Sequence, residues 1–302
     1  MSITIEQFVS KTPRISERKK LEFKLKVIDN LLSELAETGE PPYPLPAGKT
    51  AEDCIKELQA ERGEVQEKMK QYPPGIKQKG GGEVQKVKLG DLIKTMLADI
   101  PCQPIEKETI YLEPKEVKIL KDDTVTLSTT ESANQNMISF VGSIEDPNND
   151  PLNRDQENGG FSLWWVYELP ARLFDTRYDI SIYGGINAVM TAVSNNVFGK
   201  RSWGGFIVGI LSLEDDEEYY FDEGAPYPIP VRKDWMGPMR SENDAHDQSG
   251  VHFSRTLTLK AGDTKLAGLG FHFWLCANCC KIEANGQARA HQDISNSTLP
   301  LL

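Results

Sequence analysis

The sequence predicts an α+β chain organised by segment: an N-terminal antiparallel helical hairpin, then an all-β, two-sheet sandwich domain. Three observations carry this. Two apolar seams with alternating four- and three-residue spacing lie within residues 16–71. A Gly-rich stretch at residues 77–82 follows them. From about residue 105 the period falls to two, and Gly, Pro, Asn and Asp clusters separate β-branched and aromatic runs.

The helices come first. Thr4-Ile5-Glu6-Gln7 fits a capping box opening a short helix that Pro13 stops. Leu21, Leu25, Ile28, Leu32 and Leu35 then fall on one stripe, with Gly39 as its C-terminal stop. Phe23, Val27 and Leu31 widen that stripe beyond what a two-helix seam needs, so the hairpin either folds back on the β domain or projects as an arm toward a partner, and the width favours a partner. Prolines 41, 42, 44 and 46 form a loop. Thr50 opens a second helix whose seam reads Ala51, Ile55, Leu58, Arg62, Val65, Met69. Arg62 weakens it near the middle. The expected boundaries are 1–82 for the hairpin arm with its linker and 83–302 for the body.

The body begins with a short helix over residues 91–98 and continues as strands. The clearest lie within residues 257–275. Lys260-Ala261-Gly262-Asp263 turns the chain there. Ala267, Leu269, Phe271, Phe273 and Leu275 take one face, and Gly268, Gly270, His272, Trp274 and Cys276 the other. The pairs Gly159-Gly160, Gly184-Gly185 and Gly204-Gly205 read as turns or bulges, because none opens a helix followed by Lys-Ser/Thr as a phosphate loop would.

Charge narrows the partners. The 302-residue chain has a formal net charge of −11. The first hundred residues hold 17 basic and 16 acidic side chains, which leaves 17 basic against 29 acidic in the rest. An acidic body repels nucleic acid, so no nucleic-acid partner is expected. The basic cluster Arg14, Arg18, Lys19, Lys20, Lys24 and Lys26 reads as a solvated helix face. The N-terminus has neither a basic nor an apolar leader region, so a cytoplasmic setting is expected, with leaderless export also compatible. Five cysteines, three of them crowded at 276, 279 and 280, do not make a spaced disulfide framework.

Two constellations are candidate metal sites. If Asn285-Gly286 is a two-residue hairpin turn, Cys280 falls opposite His291, with Cys276 just upstream. Thiolate and imidazole suit zinc or another soft metal, or a Cys–His catalytic pair with Asp293 as a third member. A period of two puts Cys279 and Cys280 on opposite faces, which opposes a three-cysteine centre. Asp146, Asn148, Asp150 and Glu157 stand at positions 1, 3, 5 and 12 of a calcium-loop spacing, although Pro151 sits where the turn wants Gly. The acidic run 214–218 with Tyr219, Tyr220, Phe221, Tyr227 and Trp235 offers rings and carboxylates of the kind that hold a sugar. No cofactor is required by any of these.

The leading expectation is a non-enzymatic assembly or binding protein. Its helical arm would make homo-oligomer or protein-partner contacts, and its sandwich loops would recognise. One alternative is a membrane-active, pore-forming-type protein that refolds residues 185–213 into a hairpin. The other is a metal- or thiol-dependent enzyme built on the C-terminal Cys/His hairpin.

Overall fold

A computed structural model describes residues 4–10, 14–39, 48–72, 83–88, 108–146, 157–194, 202–213, 219–224, 226–231, 241–278 and 280–298. The elements are numbered here in chain order. Helices α1 (Ile5–Ser10), α2 (Glu17–Thr38) and α3 (Ala51–Lys70) precede the strands. The Thr4 hydroxyl accepts from the Gln7 amide while the Gln7 side chain accepts from the Thr4 amide, the reciprocal cap the sequence calls for. Thr50 and Asp53 repeat it at α3, and Gly39 closes α2 at φ 67°.

The two long helices pair along the predicted seams. Ile28 and Leu35 of α2 are buried with Cys54, Leu58 and Val65 of α3. Arg62, the charged slot in the second seam, reaches across to Asp29 at 2.7 Å, and Lys24 meets Glu61 at 3.0 Å. The extra width of the α2 stripe does not face outward. Phe23 and Val27, with Ile15, are buried against Ile207, Trp274 and Cys276 of the body. The arm therefore lies on the β domain, and its apolar stripe is consumed within the chain.

All strand pairings are antiparallel and form two sheets. Sheet A runs β1 (Glu83–Lys88), β11 (Ser241–Leu259), β7 (Thr176–Ser194), β13 (Cys280–Thr298), β5 (Met137–Glu145) and β4 (Thr126–Glu131), with β2 (Glu108–Ile110) beside β13. Sheet B runs β10 (Tyr227–Val231), β8 (Ser202–Leu213), β12 (Lys265–Asn278), β6 (Glu157–Leu169) and β3 (Glu116–Lys121), with β9 (Tyr219–Glu223) beside β8. Two sheets with apolar inner faces make a sandwich. Its core stacks Phe161 on Phe273 at 4.5 Å, with Phe140 at 4.9 Å from Phe273. Small residues of β13, including Ala284 and Ala288, are buried in the same core.

Several sequence expectations change. Asn285-Gly286 is not a turn: β13 runs straight through it, paired with β5 on one side and β7 on the other. Hydrogen bonding on both sides outweighs the local turn preference. A Cβ on Gly286 would lie 2.5 Å from the Asn187 carbonyl oxygen, so this glycine serves the close approach of β7. The glycine pairs at 159, 184 and 204 also lie inside strands. At Gly184 a Cβ would meet Leu269 of the opposite sheet at 2.4 Å, so its absence lets the sheets close. The Lys260–Asp263 turn forms as predicted, yet β11 and β12 belong to different sheets. The apolar runs proposed as a membrane hairpin are likewise separated, β7 in sheet A and β8 in sheet B, with Ala188, Met190 and Ala192 in the core. Among the described residues no helix is long and apolar enough to cross a membrane. The predicted helix over 91–98 lies outside the described residues.

Candidate binding face

The two outer faces of the sandwich are built differently. On sheet B, alternation sends Gly268, Gly270, His272, Trp274 and Cys276 outward, as the sequence predicts. A ring lies on each glycine. Phe8 of α1 sits where a Cβ on Gly268 would be, at 2.8 Å, and Trp164 occupies the same space over Gly270. Phe23 covers Gly205, and Phe221 with Ile15 covers Gly209. Phe23 also meets Trp274 edge-on at 5.5 Å. Polar contacts tie the cover down: Ser16 donates twice to the Glu223 carboxylate, and Lys118 pairs with Glu6 at 2.8 Å. Lys118 holds the Glu6 carboxyl down at about 2.

Under this cover lies a cluster the sequence did not single out. His272 stands directly opposite Ser162 on β6. Burial pushes the imidazole down to about 4, opposed by the Asp122 carboxylate and reinforced by Arg14 and Lys20. The imidazole is thus neutral near pH 7 and a weak base. The Ser162 hydroxyl accepts from the Trp164 indole at 3.1 Å. Ser, His and Asp occur together here without the hydrogen-bond relay that nucleophilic catalysis needs.

The predicted soft-metal set does not converge. Cys280 and His291 occupy one continuous strand eleven residues apart, which is roughly 36 Å at about 3.3 Å per residue. Cys280 pairs with Ser194 and faces the core, whereas His291 pairs with Tyr183 on the opposite face. Cys276 is buried under α2, and burial first, then Cys280 and Asp146 nearby, push its thiol well above the usual range. A protonated, buried thiol is a poor ligand and a poor nucleophile. In the calcium candidate Asp146 is buried at the end of β5 and Glu157 opens β6, while Asn148 and Asp150 lie outside the described residues. Among the described residues no group of three or more His, Cys, Asp or Glu side chains could hold a metal ion. Of the acidic and aromatic run, residues 214–218 and Trp235 lie outside the described residues. Phe221 packs against the helical cover, and Tyr227 stacks on Phe206 at 4.8 Å.

The outer face of sheet A has no described helix on it. Directly opposed residues of antiparallel strands share a face, so register alone lays out its rows. One row is Thr130, Ser139, Gln287, Asn187 and Gln248, one residue from each of β4, β5, β13, β7 and β11. The next is Ser128, Val141, Asn285 and Val189. Except for the half-buried Ser139 these side chains are exposed, Val141 at 37% and Val189 at 41%. None is charged. Charged side chains stand at the borders: Arg289 donates to Gln287 at 3.2 Å, and Lys281 pairs with Glu283 at 3.1 Å. Further along the same face Tyr183 is buried, stacked on His252 at 4.3 Å with His291 at 6.1 Å.

No family model matches the chain, and no curated protein matches it. Among solved structures, the enzymatically active domain of tailspike protein 4 from bacteriophage CBA120 is 9% identical with a TM-score of 0.18. The match covers 55% of this chain and 19% of that one. The module TmCBM61, solved with β-1,4-galactotriose, is 12% identical with a TM-score of 0.15, over 54% of this chain and 89% of that one. A family 11 carbohydrate-binding module from Clostridium thermocellum, solved with a mixed-linked tetrasaccharide, is 10% identical with a TM-score of 0.12, over 57% and 96%. Scores this low carry no argument. The class is set by the fold itself: a two-sheet antiparallel sandwich with a helical hairpin laid over one face.

Proposed function

We propose that this chain is a non-enzymatic binding protein that recognises its ligand or partner through the open face of sheet A. One observation carries the reading. An exposed patch drawn from five strands holds no charged side chain, although 26% of the chain is charged and the net charge is −11. Depletion of charge at the centre of an exposed patch, with charges at its border, marks recognition surfaces. The other outer face is occupied by the chain's own helices, which leaves sheet A as the sandwich face for outside contacts. This reading moves recognition from the loops to a sheet face, and it gives the helical arm the role of a cover.

The test uses the full chain against glycan and peptide arrays, with self-association followed by sedimentation velocity. Asn285→Arg places a charge in the centre of the patch. Any interaction found should be lost in this variant and kept in Ala60→Arg, which places the same charge on exposed α3. The reverse pattern would assign recognition to the helical layer and sink the proposal.

A further inference from the structure

We infer that the ligand of this face is an uncharged glycan chain, bound across the strands. The inference rests on the binding-face reading above and adds the ligand class. Asn187, Asn285, Gln287 and Gln248 carry amides, each able to donate and accept. Ser128, Thr130 and Ser139 add hydroxyls with the same dual capacity. A surface of donors that are also acceptors, without fixed charge, matches a ligand rich in hydroxyls, which has both roles at each group.

Val141 and Val189 lie on one row with Asn285 between them. Two strand spacings separate them, about 10 Å. They are small apolar pads beside polar groups, spaced for the CH faces of alternate sugar rings along a chain. The row of five strands spans roughly 19 Å, the scale of an oligosaccharide rather than one sugar.

Other ligands fit less well. An anionic ligand would find, among the described residues, border cations that are already engaged: Arg289 gives a hydrogen bond to Gln287, and Lys281 pairs with Glu283. A protein partner would look for an aromatic or arginine anchor at the centre of the patch. Among the described residues the exposed centre has none, since Tyr183 on this face is buried.

The experiment is affinity electrophoresis of the full chain in gels containing a neutral β-glucan, a galactan, a mannan or polygalacturonate. Isothermal titration with the matching oligosaccharide follows. Retardation by at least one neutral polymer, and none by polygalacturonate, is the expected result. Asn187→Ala and Gln287→Ala should each weaken binding about five- to tenfold, in line with one lost hydrogen bond. Both side chains are exposed, so the folding equilibrium should change by no more than about twofold, roughly 0.5 kcal/mol, and a lost fold would show as a larger drop in melting temperature. Tighter binding of polygalacturonate overturns the ligand class. So does failure of every neutral polymer while Asn285→Arg still abolishes a peptide contact or self-association, and in that case the binding face survives. Glycan binding that is indifferent to Asn187, Gln287 and Asn285 overturns both.

Discussion

The neutral His272 makes the stability of this protein fall with acidity in a window that can be worked out. Its pKa drops from 6.5 in the unfolded chain to about 4 in the folded one, because burial beside sheet B and under the helices disfavours the imidazolium. Between those values the unfolded state binds the extra proton. Stability is therefore fully present above pH 6.5 and is lost as pH falls toward 4. Linkage gives a loss of about 2 kcal/mol at pH 5 and at most about 3 kcal/mol at pH 4, trimmed by any water reaching the ring. Carboxylates titrate in the same range, so the informative quantity is a difference. Urea unfolding followed by fluorescence of buried Trp164 and Trp165, from pH 4.5 to 7.5, is compared with His272→Gln. The variant should lack that part of the slope. Equal slopes, or the assigned His272 imidazole resonance titrating near 6.5 in the folded protein, would refute the reasoning.

Other expectations follow from the packing. Phe23→Ala removes the ring lying on Gly205 and against Trp274 and should destabilise by about 3–5 kcal/mol. In amide exchange, protection of α2 should fall more than that of the strands. Gly270→Ala drives a Cβ to 2.8 Å from the Trp164 ring, and thermal melts should show a cost of about 1–3 kcal/mol. Arg62→Ala should cost about 1 kcal/mol or less, since the pair with Asp29 is largely exposed, and denaturant titration in low and high salt checks this. Leu173→Ser should move the melting midpoint by no more than about 0.5 kcal/mol equivalent, because Leu173 is 89% exposed.

Much of the fold was legible because period is a local property. The helical seams, both capping boxes and the two faces of β12 follow from spacing alone. What failed was the reading of Asn285-Gly286 and of the glycine pairs at 159, 184 and 204 as turns or bulges, whereas the Gly-containing turn at Lys260–Asp263 formed. Gly286, Gly184 and Gly205 each sit inside a strand because another backbone, a core side chain or a ring occupies the space of the missing Cβ. Local sequence cannot tell a glycine that bends the chain from one that lets a neighbour approach. That single ambiguity also generated the expected Cys280–His291 contact, which arises only if Asn285-Gly286 turns.

The proposed binding face was illegible for a related reason. Its residues come from strands β4, β5, β7, β11 and β13, and only the register between those strands assembles them. A trace does exist along β13. The outward positions from Lys281 to Arg289 read Lys, Glu, Asn, Gln, Arg, with charge at both ends and amides in the middle. The same alternation on β12 yields Gly, Gly, His, Trp, Cys, a face that cannot stay in water and is roofed by α1 and α2. One sheet thus spends its outer positions on small and apolar residues that receive the chain's own rings. The other carries uncharged polar residues and two valines at its centre, with charges at the borders, and bears no described helix. A chain with this much acidic charge has ample means to solvate a face with carboxylates, and the amides at the centre of sheet A are a departure from that rule which a neutral ligand would explain.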